Sequence, residues 1–178
     1  QVNDLICVTG NLGTAYMGLQ LLERERIVMN TDENATPAFE GREYLLERQL
    51  KPEARKDIIE QLHKAGIKPT AMMDISDGIG SDLRHIMKAS GVGAVIDLAK
   101  LPLSPELVSV CKEQGWEIYE MATSGGEDFE LMFTAPAGLE NELDIAVYPI
   151  GKIVPGNELS WRFSNEPMDR DFDGYKHF

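Results

Sequence analysis

Two aspartates, a serine and a glycine stand together in the run Asp74-Ile75-Ser76-Asp77-Gly78. The apolar Ala71-Met72-Met73 leads into this run, and apolar residues at helical spacing (Ile79, Leu83, Ile86, Met87) follow it. The carboxylates and the hydroxyl therefore sit where a strand turns into a helix. A helix start exposes unpaired backbone N–H groups and the positive end of the helix dipole, which suits phosphate. Carboxylates repel phosphate unless a cation stands between them. Magnesium has the right chemistry, because it favours oxygen ligands and is often shared between carboxylates and nucleotide phosphates. The residue types also allow a plainer reading, in which Ser76 or Asp77 caps the helix and Asp74 ends the strand. Gly78 and Gly80 weigh against it. Each glycine in a helical turn costs up to about 1 kcal/mol relative to alanine, so a close approach to the backbone is expected there.

A second run, Ser124-Gly125-Gly126-Glu127-Asp128, sets two acids at the mouth of a strand after a pair of glycines. It reads either as an ordinary turn or as a place for a substrate cation or a metal. Neither run is a sharp signature alone.

The elements that must position these runs follow from periodicity and punctuation. Asp4 to Thr9 reads as a strand, Gly10-Asn11-Leu12-Gly13 as a tight turn, and Leu12, Ala15, Leu19 and Leu22 as one face of a helix. The turn lacks the Lys-Ser/Thr of a phosphate loop and the third glycine of a dinucleotide fingerprint. Residues 26–50 are polar and mixed, and are expected to form a flexible excursion with at most a modest helix from Phe39 to Leu50. Pro52 suits the first turn of the next helix, whose apolar face is Ala54, Ile58, Leu62 and Ala65. Gly93 to Leu98 reads as a strand, and Ser104-Pro105 opens a helix to Gln114. Phe129, Leu131 and Phe133 alternate with Glu130, Met132 and Thr134, the pattern of a half-buried strand. Further strands are expected within Ile145–Val154 and Leu159–Phe163. Strands and helices mixed without strict alternation predict an α+β domain, a mixed or antiparallel sheet with helices packed on one face.

The chain has 178 residues, 43% hydrophobic and 26% charged, with a net charge of −13. That length supports one large domain with a real core. The acidic balance argues against nucleic-acid partners, which want a basic face. No apolar run reaches the ~20 residues of a membrane span, so no membrane is expected as a partner. Cys7 and Cys111 are isolated and are expected to be reduced core thiols of a cytoplasmic protein.

The spaced set of motifs resembles the thiamine-monophosphate kinase family, within the aminoimidazole-ribonucleotide-synthetase-like superfamily. It comprises Val8–Gly13, Met73–Ile79, Ser81-Asp82-Leu83, Ala89–Ala94, Ile96-Asp97-Leu98, Leu101–Ser104, Ser124–Leu131 and Gly174-Tyr175-Lys176-His177-Phe178. The resemblance implies transfer of the γ-phosphoryl of ATP onto thiamine monophosphate, giving thiamine diphosphate, with Mg2+. It implies Asp74 and Asp77 as metal ligands, Ser76 as an ATP contact, and Glu127 and Tyr175 as substrate contacts. It assigns no further catalytic side chain. It also implies a preceding domain that supplies much of the ATP and metal site. Gln1 falls near the expected start of the C-terminal domain, so the chain is expected to be a C-terminal part, inactive alone, of a protein that dimerises at full length. Two other readings are a nucleotide- or thiamine-binding module without catalysis, and a structural α+β domain whose acids merely cap helices.

Overall fold

Strand β1 (Leu5–Thr9) lies in the middle of a sheet, and four of its five residues are accordingly buried. The computed structural model describes residues 1–32, 34–138 and 147–172. β1 is paired antiparallel on one side with β4 (Leu131–Ala135) and on the other with β5 (Val147–Val154). β2 (Ala71–Asp74) adds antiparallel to β4, and β3 (Gly93–Asp97) antiparallel to β5. β6 (Leu159–Phe163) runs parallel to β3, and the short β7 (Glu166–Pro167) completes the order β2-β4-β1-β5-β3-β6-β7. The β1–β5 register shifts between Ile6 and Cys7, where Pro149 stands opposite. A proline cannot donate to the ladder, and such a shift accommodates it.

Side-chain alternation sends the sheet residues to two cores. Ile6, Val8, Met132, Ile96 and Ile150 meet Ile79, Leu83 and Ile86 of α4 (Ile79–Ser90) and Ala122 of α6 (Ile118–Ser124). Outside this layer, α1 (Thr14–Thr31), α2 (Glu43–Leu50) and α5 (Pro105–Gln114) pack together through Met17, Leu21, Leu45, Leu107 and Val110. On the opposite face α3 (Lys56–Lys64) sets Ile58 and Leu62 on Cys7, Phe133 and Ala135. The α+β class with a mixed sheet is the expected one, and α3 adds cover to the second face.

Cover on both faces explains one departure from the sequence pattern. Strand β4 is not half-buried: Met132, Phe133, Thr134 and Ala135 are all buried. The buried face of α1 runs through Ala15, Met17, Gly18 and Leu21, not through Leu19 and Leu22. Residues 26–50, expected as a flexible excursion, contain the end of α1 and the whole of α2. Part of this stretch is tied back by Glu25, which accepts from the Ala38 N–H at 3.0 Å and from Arg24 at 2.7 Å. The Ala38 bond and then Arg24 hold its carboxyl below the usual carboxylate range. Pro52 does not start a helix, because α3 begins at Lys56. Cys7 and Cys111 are buried free thiols. Among the described residues, no helix is long and apolar enough to cross a membrane.

Candidate functional site

The two acidic runs are 50 residues apart and the sheet joins them edge to edge. Beyond the ends of β2 and β4, the ladder continues irregularly. Ile75 N–H donates to the Glu130 carbonyl at 2.8 Å, Phe129 N–H to the Ile75 carbonyl at 3.1 Å, and Glu127 N–H to the Ser76 carbonyl at 2.8 Å. Ile75 is fully buried and anchors its own run. Gly126 permits this approach, since a Cβ there would stand 2.2 Å from the Ser76 carbonyl oxygen. Gly78 has φ +92° and precedes the first residue of α4. A Cβ there would meet the Thr123 carbonyl oxygen at 2.6 Å and that of Gly125 at 2.8 Å. The close approach expected at Gly78 is therefore made by the protein's own backbone, at the end of α6.

Asp82, in the first turn of α4, organises the first run. Its Oδ2 accepts from the Ser76 N–H at 2.9 Å and the Asp77 N–H at 3.1 Å. The residue is buried, which pushes its carboxyl above the usual range; the two N–H groups oppose that, and Asp77 and Asp74 nearby reinforce it. Neither Ser76 nor Asp77 caps α4 by a side chain. With Asp82 satisfying their backbone, the side chains of both residues are spared that task.

In the second run the acids part company. Glu127 and Phe129 are exposed, whereas Asp128 and Glu130 are buried. Glu127 (φ +61°) and Phe129 (φ +52°) both adopt the left-handed region. For side-chain-bearing residues such strain costs of order 1–3 kcal/mol each and collects at functional sites. Asp128 serves α1: its Oδ2 accepts from the Gly13 N–H at 2.7 Å and its Oδ1 from the Ala15 N–H at 3.3 Å. Glu130 accepts from Arg48 Nη2 at 2.9 Å, Arg55 Nη1 at 2.6 Å and Thr9 Oγ1 at 2.7 Å.

Burial pushes the Asp128 carboxyl up to about 7, against the two backbone donors and Arg48. The folded chain thus holds a proton between roughly pH 4 and pH 7 that an unfolded aspartic acid releases. Its contribution to stability is complete below pH 4 and is lost as pH rises through 7. Relative to Asp128→Asn, the wild-type advantage in urea unfolding is expected to shrink steadily from pH 4 to pH 7. A difference that stays constant with pH would remove this assignment.

A cavity of about 350 Å³ opens where the runs meet. Ser76, Asp77, Gly126 and Glu127 line it, facing Tyr16 and Leu19 of α1 and Gln49 of α2, with Phe129 beside them. Three of the sequence-predicted residues, Ser76, Asp77 and Glu127, are thereby brought together. Asp74 is exposed at the end of β2, next to this turn, and does not line the cavity. Tyr175 lies outside the described residues. Among the described residues, no group of three or more His, Cys, Asp or Glu side chains gathers as a metal cage. Tyr16, Gln49 and Phe129 were not singled out by the sequence, nor was the role of Asp82.

The family model for the AIR synthase related protein, C-terminal domain, matches residues 1–162. The chain belongs to that family. Among relatives of this AIR synthase related domain, the thiamine-monophosphate kinase of Aquifex aeolicus (strain VF5) is 36% identical over 179 residues, covering 100% of this chain and 53% of the relative. The thiamine-monophosphate kinase of Escherichia coli (strain K12) is 36% identical over 183 residues, covering 98% and 52%. The solved structure of AaThiL complexed with AMPPCP and TMP superposes with a TM-score of 0.77 at 33% identity, covering 100% of this chain and 52% of that one. The chain spans about half the length of the curated relatives it matches.

Proposed function

We propose that this AIR synthase related domain is the substrate-side part of an ATP-dependent kinase that converts thiamine monophosphate to thiamine diphosphate. The observation that carries the reading is the cavity in which Ser76 and Asp77 share walls with Glu127, Tyr16 and Phe129. Thiamine is an organic cation bearing flat rings. A carboxylate and two aromatic rings are the groups that hold such a cation. Glu127 faces the thiazolium, and Ser76 contacts an ATP phosphate. Tyr175 adds a further substrate contact. The relatives named above support the substrate pair, since they are thiamine-monophosphate kinases and one was solved with AMPPCP and TMP.

Mg2+ fits the residues present. It keeps several waters and binds through one or two carboxylates plus substrate phosphates, not through an all-protein cage. Asp74 and Asp77 are two such carboxylates on one strand-to-helix turn. Bound there, the ion would neutralise charge on the phosphates. The chain's own contribution is placement: Asp82 fixes the Ser76–Asp77 turn, and the left-handed Glu127 lines the cavity. Phosphoryl transfer asks chiefly for in-line positioning and charge neutralisation. The rest of the ATP and metal site comes from a preceding domain of the full-length protein, which is a cytoplasmic homodimer.

The test is a turnover assay following ADP and thiamine diphosphate, on the full-length protein and on this chain alone. The full-length protein is expected to turn over and the chain alone to be inactive. Binding of thiamine monophosphate by the full-length protein without product would establish a binding module instead. Equal rates for the two proteins would overturn the divided site.

A further inference from the structure

Buried polar atoms almost always have partners, so those without one point to a missing ligand or water. Among the described residues, the buried side-chain polar atoms without a hydrogen-bond partner are Arg48 Nε, Gln49 Oε1 and Ser124 Oγ. Two of them belong to consecutive residues of α2, and Gln49 also lines the cavity beside Ser76, Asp77 and Glu127. Its other amide atom is engaged, because Nε2 donates to Glu127 Oε2 at 3.4 Å. An ionised carboxylate only accepts, so Glu127 fixes which way the amide faces. Turning the amide over would set Oε1 against Glu127 Oε2. Gln49 therefore offers a carbonyl oxygen, and not a donor, for further bonding.

We propose that Gln49 is a specificity-determining residue, whose Oε1 accepts a hydrogen bond from the exocyclic amino group of a ligand's aminopyrimidine ring. The inference rests on the reading of the cavity as a thiamine monophosphate site. Thiamine joins its thiazolium cation to a 4-aminopyrimidine, so one ligand carries both a charge for Glu127 and an N–H donor for Gln49. Tyr16, Leu19 and Phe129 give the ring an apolar and aromatic surround. A site built to bond a ligand N–H discriminates against the analogue that lacks it, since its own acceptor is then left buried and unpaired.

The experiment compares thiamine monophosphate with its analogue in which oxygen replaces the ring amino group. Both are tested on the full-length wild type, Gln49→Met and Gln49→Leu, reading KM and kcat separately. The wild type is expected to favour the amino ligand by about tenfold or more in kcat/KM. Both variants are expected to lose about tenfold towards the amino ligand, chiefly in KM, and to handle the oxo analogue at least as well as the wild type does, since the unpaired acceptor is gone. Thermal melts establish that each variant is folded. A wild type that does not discriminate between the ligands overturns the proposal without recourse to any variant. So do variants that weaken both ligands equally, or neither. Failure of the wild type to bind either ligand is a separate result, which removes the thiamine reading and this inference with it.

Discussion

Asp77→Asn in the full-length protein is expected to cut thiamine diphosphate formation about a hundredfold or more, a loss typical of removing one preorganised electrostatic group. That factor corresponds to about 2.7 kcal/mol of transition-state stabilisation. The substitution removes one of the two carboxylates assigned to the metal and keeps the side chain's shape. Fold stability should not follow activity down. The bond from the Asp77 N–H to Asp82 is made by the backbone and survives. The charge that disappears is one that pushes the buried Asp82 carboxyl up, so the melting temperature should hold or rise slightly. Mg2+ with ATP should raise the melting temperature of the wild type by mass action and that of the variant much less. Asp74→Asn should move in the same direction. Unchanged turnover in Asp77→Asn would sink the metal role, and a collapsed melt would show that the residue serves the fold instead.

The two acidic runs were legible because strand, turn and helix around Asp74 are encoded within a few residues of one another. Apolar Ala71–Met73 and the helical spacing of Ile79, Leu83 and Ile86 suffice to place that junction. The meaning of the glycines was not legible: Gly78 is crowded by the Thr123 and Gly125 carbonyls, which only tertiary packing brings there. Glu127 and Asp128 are adjacent acids that a sequence cannot tell apart. The backbone conformation turns one outward to the cavity and the other inward to the start of α1. Helix α2 was hardest to read, since Leu45 is its one fully buried residue and the rest looks like a solvated loop. Its functional content depends on partners such as Glu127, 78 residues away from Gln49. Composition near residue 49 carries no trace of such a contact.

The same distance in sequence explains why Glu130→Ala is expected to be the most destabilising of these substitutions, at about 3 kcal/mol in urea unfolding. Glu130, just ahead of β4, is buried and bonds to Arg48 of α2, to Arg55 ahead of α3, and to Thr9 of β1. Both arginine side chains are four-fifths buried or more, with exposures of 16% and 20%. Without Glu130, Arg55 keeps its two bonds to Asp57, at 3.0 and 2.9 Å. Arg48 keeps only the Asp128 carbonyl, at 2.8 Å, among its bonds here. The cost therefore falls mainly on Arg48, as a buried charge whose counter-charge has gone. Its worth as an ion pair is a separate quantity, because replacing a whole buried pair by apolar groups is often neutral or better. Glu130→Met combined with Arg48→Met should accordingly recover much of the stability that Glu130→Ala loses. It should not recover turnover, because Arg48 also grips the backbone carbonyl next to Glu127. A Glu130→Ala chain as stable as the wild type would show that water already screens both arginines. A double variant that regains activity with stability would show that the triad holds the fold and leaves the cavity wall to the backbone.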